Sequence, residues 1–246
     1  MLIDEKYQNH DYFFDQNDYS VCRKQLIETL FDIGKRLRQT ESTVYLAVGY
    51  MDIILNSDNA ISKASGREHF KLIAVVCLNI ASKFDALDLN TPLVNELQRA
   101  SGVHISFHGL VEYERECLKI LNWQLKNVTL FHCTDVIKHQ GLLMSNDTRN
   151  SGRSIEEDFG QIAERARILL DYFADLILKD IEFLRFKPSI QASACLLATR
   201  MCLNIDKPWN NAIAEMLLYD KEDIQPAYLL FEQKYGFLIE VAESVC

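Results

Sequence analysis

The sequence predicts an all-α fold of two helical domains in tandem, and three observations carry that expectation. Residues 43–55 (TVYLAVGYMDIIL) and 72–84 (LIAVVCLNIASKF) are apolar around nearly the whole helical circumference. That pattern belongs to helices at the centre of a helical domain rather than on its surface. Residues 113–125 (YERECLKILNWQL) are instead amphipathic, and no segment of useful length alternates with the period of two that a half-buried strand needs. Finally, 246 residues suffice for two helical domains, each of about 100–120 residues.

In chain order, Ser20 is the candidate cap of a helix reaching about Gln39, with an apolar stripe of Leu26, Ile27, Leu30, Phe31, Ile33 and Leu37. A second helix over residues 42–55 ends in the turn-forming run Asn56-Ser57-Asp58-Asn59, and a third covers 67–86. Thr91-Pro92 reads as a cap and first helical position for a short helix to Ala100. Ser106 caps a fifth, to about Asn122. A connecting helix is expected over 129–139. Residues 141–154 (GLLMSNDTRNSGRS) become polar and lose the apolar period, so 144–154 is expected to be an exposed, mobile loop. Helical pattern resumes at Ile155 and runs to Lys179. Pro188 opens the apolar helix PSIQASACLLATRMCL, a short helix follows around 209–218, and the last covers 222–238 with Pro226 near its first turn. Ile73, Ala81, Ser82 and Lys83 recur 117 positions later as Ile190, Ala198, Thr199 and Arg200. Each set lies on the central apolar helix of its half, as a duplicated five-helix plan requires.

Composition excludes several classes. With 26 Lys and Arg against 35 Asp and Glu, the net charge is −9, which disfavours nucleic acid and anionic membrane as principal partners. Lys35, Arg36 and Arg38 form only a small basic patch. The acidic N-terminus MLIDEKYQNH lacks the apolar core of a signal peptide, and no apolar run reaches the length of a membrane span. An intracellular protein, nuclear or cytoplasmic, without membrane insertion is expected. The 7 cysteines are odd in number, form no Cys-x-x-Cys pair and lie mostly in apolar helical stretches. They read as small buried hydrophobes of a reducing compartment. The 6 histidines offer no metal-ligand spacing; His104 and His108 straddle the expected helix start at Ser106. Glu156, Glu157 and Asp158 read as helix N-terminal acids. No Gly-rich phosphate loop or nucleophile constellation is present, so neither metal nor cofactor nor catalysis is expected.

The charges inside the apolar helices need partners, because an unpaired buried charge is costly. Asp52 lies within one such helix, Lys83 ends the next, and Glu114 sits on the amphipathic third.

Those charges fall into a wider pattern. The spacing Arg23…Leu26…Leu30…Gly34, then LAVGYMD (46–52), LNIASKF (78–84) and Glu114…Leu118…Leu121-Asn122-Trp123…Leu125 resembles the cyclin box in order and spacing over roughly residues 20–128. The segment FLRFKPSIQASACLLATR (183–200) is more weakly similar to the start of the second cyclin fold. The resemblance implies two tandem five-helix cyclin folds, over residues 20–128 and 129–246 with the loop 141–154 in the second, behind a short arm of 1–19. It implies a regulatory subunit without catalysis of its own, which binds and allosterically activates a cyclin-dependent Ser/Thr protein kinase; a homo-oligomer is not expected. Residue by residue, Arg23 and Asp52 match the family's internal ion pair. Lys83 and Glu114 match the pair that contacts the kinase, and Phe84, Trp123 and Leu125 match apolar positions of the same surface.

There are departures. Substrate-recruiting cyclins carry Met-Arg-Ala-Ile-Leu and a Trp three residues on. Here the positions read Cys22-Arg23-Lys24-Gln25-Leu26 with Thr29 for the Trp, a degraded substrate-docking patch. The acidic pair after Lys-Phe is reduced to Asp85-Ala86. The arm carries no destruction-box-like segment. An alternative reading therefore stays open, a cyclin-fold scaffold in a larger assembly without kinase activation.

Overall fold

The computed structural model describes residues 18–57, 61, 63, 64, 66–85, 91–152 and 154–245, the side chains of 157 and 239–245 excepted. The N-terminal arm before Asp18, Ala86, Arg153 and Cys246 lie outside them. Among the described residues the chain forms ten α-helices and no strand, only isolated bridges pairing Thr148 with Ser154 and Arg149 with Ile205. It divides into two compact units, residues 1–129 and 130–246.

The first unit holds α1 (Asp18–Arg36), α2 (Glu41–Asn56), α3 (Arg67–Asp85), α4 (Val94–Ser101) and α5 (Phe107–Ile120). Its middle is the pair α2 and α3, buried from Val44 to Leu55 except at the half-buried Gly49 and Ile53, and throughout from Ile73 to Ala81. α1 packs on both. Its entry into α2 depends on Gly34, where an added Cβ would lie 2.5 Å from Val44 Cγ2. Thr40 caps α2, its hydroxyl accepting from Thr43 N, and Ser106 caps α5 through Gly109 N.

Two expected starts differ. Ser20 lies inside the first turn of α1 rather than capping it. α4 begins at Val94, because Glu96 reaches back to accept from the Leu93 amide at 2.8 Å and so fixes the start downstream of Pro92.

The second unit holds α6 (Leu130–Gln140), α7 (Phe159–Lys179), α8 (Pro188–Cys202), α9 (Asn211–Leu217) and α10 (Lys221–Val245). α8 is central, contacted by α6, α7 and α10. Pro188 opens α8 at its first turn, and Asn210 caps α9 by accepting from Ile213 N.

Within 144–154 the expected exposure holds at Ser145, Asn146, Asn150, Ser151, Gly152 and Ser154, but Asp147 is buried and pins the segment. Thr148 O accepts from Asp206 N, and Asn150 N donates to Asn204 O, so residues 148–150 run against 204–206 as a short ribbon. The anchor is Asp147, whose two oxygens accept from Arg200 Nη1 at 2.7 Å and Nη2 at 2.6 Å. A polar sequence without apolar period was thus held down by one charge whose partner lies 53 residues away.

Candidate functional site

Asp52 finds its partner in the first helix. Arg23 Nε donates to Asp52 Oδ1 at 2.7 Å and Nη2 to Oδ2 at 2.8 Å, and the Tyr19 hydroxyl donates to Oδ1. The Arg23 and Asp52 side chains are 1% and 4% exposed. Burial and the Asp52 carboxylate raise the Tyr19 phenol well above its usual range, so it stays a donor. This triad ties α1 to α2 in the interior and presents nothing to solvent.

The second pair is placed differently. Lys83, in the last turn of α3, donates to Glu114 Oε1 at 2.7 Å and Oε2 at 2.8 Å. Its side chain is 48% exposed, while that of Glu114, in the middle of α5, is 10% exposed. Behind them the Asn79 amide, one turn before Lys83 on α3, donates to Glu114 Oε1. An ammonium has three donors and a carboxylate about four acceptor sites. Two donors and three acceptors are used, leaving one N–H on Lys83 and one lone pair on Oε2 to offer a partner.

The apolar residues expected with this pair separate into two kinds. Phe84 is 47% and Trp123 66% exposed. Leu125 is half-buried, and its carbonyl accepts from the Tyr50 hydroxyl at 2.5 Å, which fastens the segment after α5 onto α2. Trp123 owes its position to the way α5 ends. Asn122 and Trp123 both have left-handed backbones, with φ of 51° and 57°, and Trp123 N donates back to Leu118 O at 2.9 Å. Two successive non-glycine residues in that region are uncommon and cost roughly 1–2 kcal/mol each, and here the turn leaves a large aromatic in solvent.

Two exposed residues had been missed. Phe107 is 72% and Val111 42% exposed. With Glu114 and Leu118 they follow the spacing i, i+4, i+7, i+11, one face of α5 about 16 Å long. Read alone, 107–118 shows helical apolar periodicity, and periodicity does not say which face meets its own core. Asn79 had a visible signal, as a polar exception within the apolar run 72–84. Asp85, the remnant of the acidic pair, is exposed but bonded to α2: Thr43 Oγ1 donates to its Oδ2 at 2.7 Å and Thr40 Oγ1 at 3.3 Å, tying the end of α3 to the start of α2.

On α1, Leu26 is buried, Cys22 and Thr29 are half-buried and Gln25 is exposed, with the Thr29 hydroxyl donating to Gln25 O at 2.7 Å. No group of His, Cys, Asp and Glu among the described residues could hold a metal ion, and none of the described helices is long and apolar enough to cross a membrane.

Fold and site together define an all-helical protein of two tandem domains that presents a braced charged pair on the first. Two family models match the chain in that order: the cyclin N-terminal domain over residues 2–126 and the cyclin C-terminal domain over 156–238. The chain belongs to the cyclin family. Among curated relatives it is 24% identical over 217 residues to the putative cyclin-A3-1 of Arabidopsis thaliana, covering 88% of this chain and 55% of the relative. It is 28% identical to the putative cyclin-F3-2 of Oryza sativa subsp. japonica, covering 85% of this chain and 47% of the relative. It is 27% identical to a cyclin-D of Ostreococcus tauri, covering 83% and 54%. The chain thus spans about half the length of these relatives. A viral cyclin from Herpesvirus saimiri, solved by X-ray crystallography, has the same fold, with a TM-score of 0.58 over 92% of this chain and 85% of that one at 18% identity.

Proposed function

We propose that this chain is a regulatory subunit that binds a cyclin-dependent protein kinase through its first cyclin fold and activates it. The carrying observation is the Lys83–Glu114 pair, bonded through both carboxylate oxygens yet half-exposed at the lysine. A half-exposed pair contributes little to the fold, and this one, bonded from two sides, still has a donor and an acceptor to give. Phe84, Trp123, Phe107 and Val111 supply exposed apolar area from the ends of α3 and α5 and along α5. An interface of about 1,600 Å² with aromatic and charged groups near its centre fits this surface. Activation follows if the rigid surface binds one kinase conformation better than the other and shifts the population. The domain division follows the same reading, with residues 20–128 as the kinase-facing fold and 129–246 as the second.

Substrate choice, on this reading, does not rest on α1. Burial of Leu26 and the polar Gln25 and Thr29 leave little apolar floor for an Arg-x-Leu peptide. The deciding experiment isolates the chain from its native cell and assays any co-purifying kinase with and without it. A kinase active only with the chain supports the reading. A complex whose kinase activity is independent of it favours the scaffold.

A further inference from the structure

We infer that Asn79 is a positioning residue for the kinase-binding pair, holding Glu114 in the orientation that leaves one acceptor free for the partner. The inference rests on the kinase-surface reading of Lys83 and Glu114 and extends it to a residue that does not itself reach the surface. Asn79 is 1% exposed. Its neighbours on α3, Val75, Val76, Cys77, Leu78 and Ile80, are all buried and apolar, surroundings that ask for an aliphatic side chain rather than an amide. An amide there must recover its desolvation through a hydrogen bond, and its side-chain donor goes to Glu114 Oε1.

The consequence is geometric. Asn79 and Lys83 stand four residues apart on α3, on the same face, and both reach Glu114 across from α5. Lys83 alone, a flexible and half-exposed chain, could follow the carboxylate through a range of torsions. The second donor, fixed on a buried helix, pins Oε1 inward and leaves the open lone pair on Oε2. Ordering before association lowers the cost of binding. Asn79 thus acts on affinity through Glu114 and has no contact of its own to contribute.

A double-mutant cycle on the full chain tests this, with affinity for the co-purified kinase as readout and thermal melting as control. Asn79→Leu should weaken binding by roughly tenfold, as expected when a charged interface group loses the internal partner that orders it before association. In an Glu114→Ala background the same substitution should change affinity less than about twofold, since the group it acts through is gone. Asn79→Ala, which trims the amide without adding bulk, should behave the same way. An equal loss in both backgrounds, or loss of the fold in both Asn79 variants, would make Asn79 structural and overturn the inference. If Glu114→Ala weakens binding and Asn79→Leu does not, Asn79 is overturned alone. If Glu114→Ala leaves affinity unchanged, the kinase-surface reading falls with it.

Discussion

Lys83 and Arg200 end the central helices α3 and α8 of the two units, 117 positions apart, and each is bonded to both oxygens of a carboxylate. Their exposures are opposite. Lys83 is 48% exposed, whereas Arg200 is 0% and its partner Asp147 4%. Arg200 also donates to the carbonyls of Pro208 at 2.9 Å and Leu142 at 3.2 Å, so its guanidinium is consumed within the second unit. Lys83 keeps a donor free. The same helical plan therefore holds a basic residue at equivalent points in different settings: in the second unit it locks a loop, and in the first it stays half-exposed, as the proposed partner surface requires. The residue types fit the division, since guanidinium forks match buried bidentate pairing and an ammonium stays hydrated at a surface.

The comparison predicts that the largest effect on stability falls in the second unit. Arg200→Ala leaves Asp147 buried without its counter-charge, held only by the Met144 amide that donates to Oδ2 at 2.8 Å, which costs about 3–5 kcal/mol before the lost carbonyl contacts are counted. Residues 142–150 should detach. Chemical denaturation should show the second unit unfolding first, and Cys195 and Cys202, both buried, should become open to thiol labelling while Cys77 and Cys117 stay protected. A variant that melts like the wild type would end the distinction between the two pairs.

Arg23→Ala should come next, at about 3–5 kcal/mol, because Asp52 is then uncompensated except for Tyr19. Here the labelling order should reverse, with Cys77 and Cys117 exposed first.

These pairs also mark what the sequence made legible. The helices and their order followed from apolar period and caps, because α2, α3 and α8 are buried nearly all round and have no other way to be satisfied. Arg23 and Asp52 could be joined through a family pattern. Asp147 could not: its partner lies 53 residues on, and local composition around it reads as solvent-facing. Lys83 and Glu114 were visible as positions, but their bracing by Asn79 and the exposed face of α5 through Phe107 and Val111 depend on which side α3 turns to α5. No one-dimensional period records that.

Trp123 gives a smaller and oppositely signed test. Its left-handed backbone, φ 57°, suits Asn far better than Trp. Trp123→Asn should leave stability unchanged or raise it by about 0.5–1 kcal/mol, while kinase affinity falls. Residues kept at a cost in stability are expected at functional surfaces. A loss of stability with unchanged affinity would return Trp123 to the fold.

The effect that is smallest at neutral pH is a pH dependence that should not discriminate between the units. Burial pushes the Cys117 thiol up to about 12, with the Glu114 and Glu116 carboxylates adding to it, and raises Cys195 as well. A folded thiol with a raised pKa contributes stability that is complete below the ordinary thiol value, about 8.5. That contribution is lost as pH rises through the folded value. Denaturation midpoints should therefore be flat through neutral pH and decline in both units above about 8.5. A decline confined to one unit would show that its cysteines are not equally buried.

The most direct test of the central claim is the paired measurement of stability and kinase affinity for Lys83→Ala with Glu114→Ala. The ion pair itself contributes little to folding, about 1 kcal/mol or less, and the buried Asn79 amide left without its acceptor adds about 1–3 kcal/mol, so the double variant should lose less stability than Arg200→Ala. Affinity for the kinase should fall by about a hundredfold or more, as when hydrogen-bonded charges are removed from a desolvated interface, and activation should fall with it. A double variant that is destabilised like Arg200→Ala, yet binds and activates the kinase normally, would contradict the account.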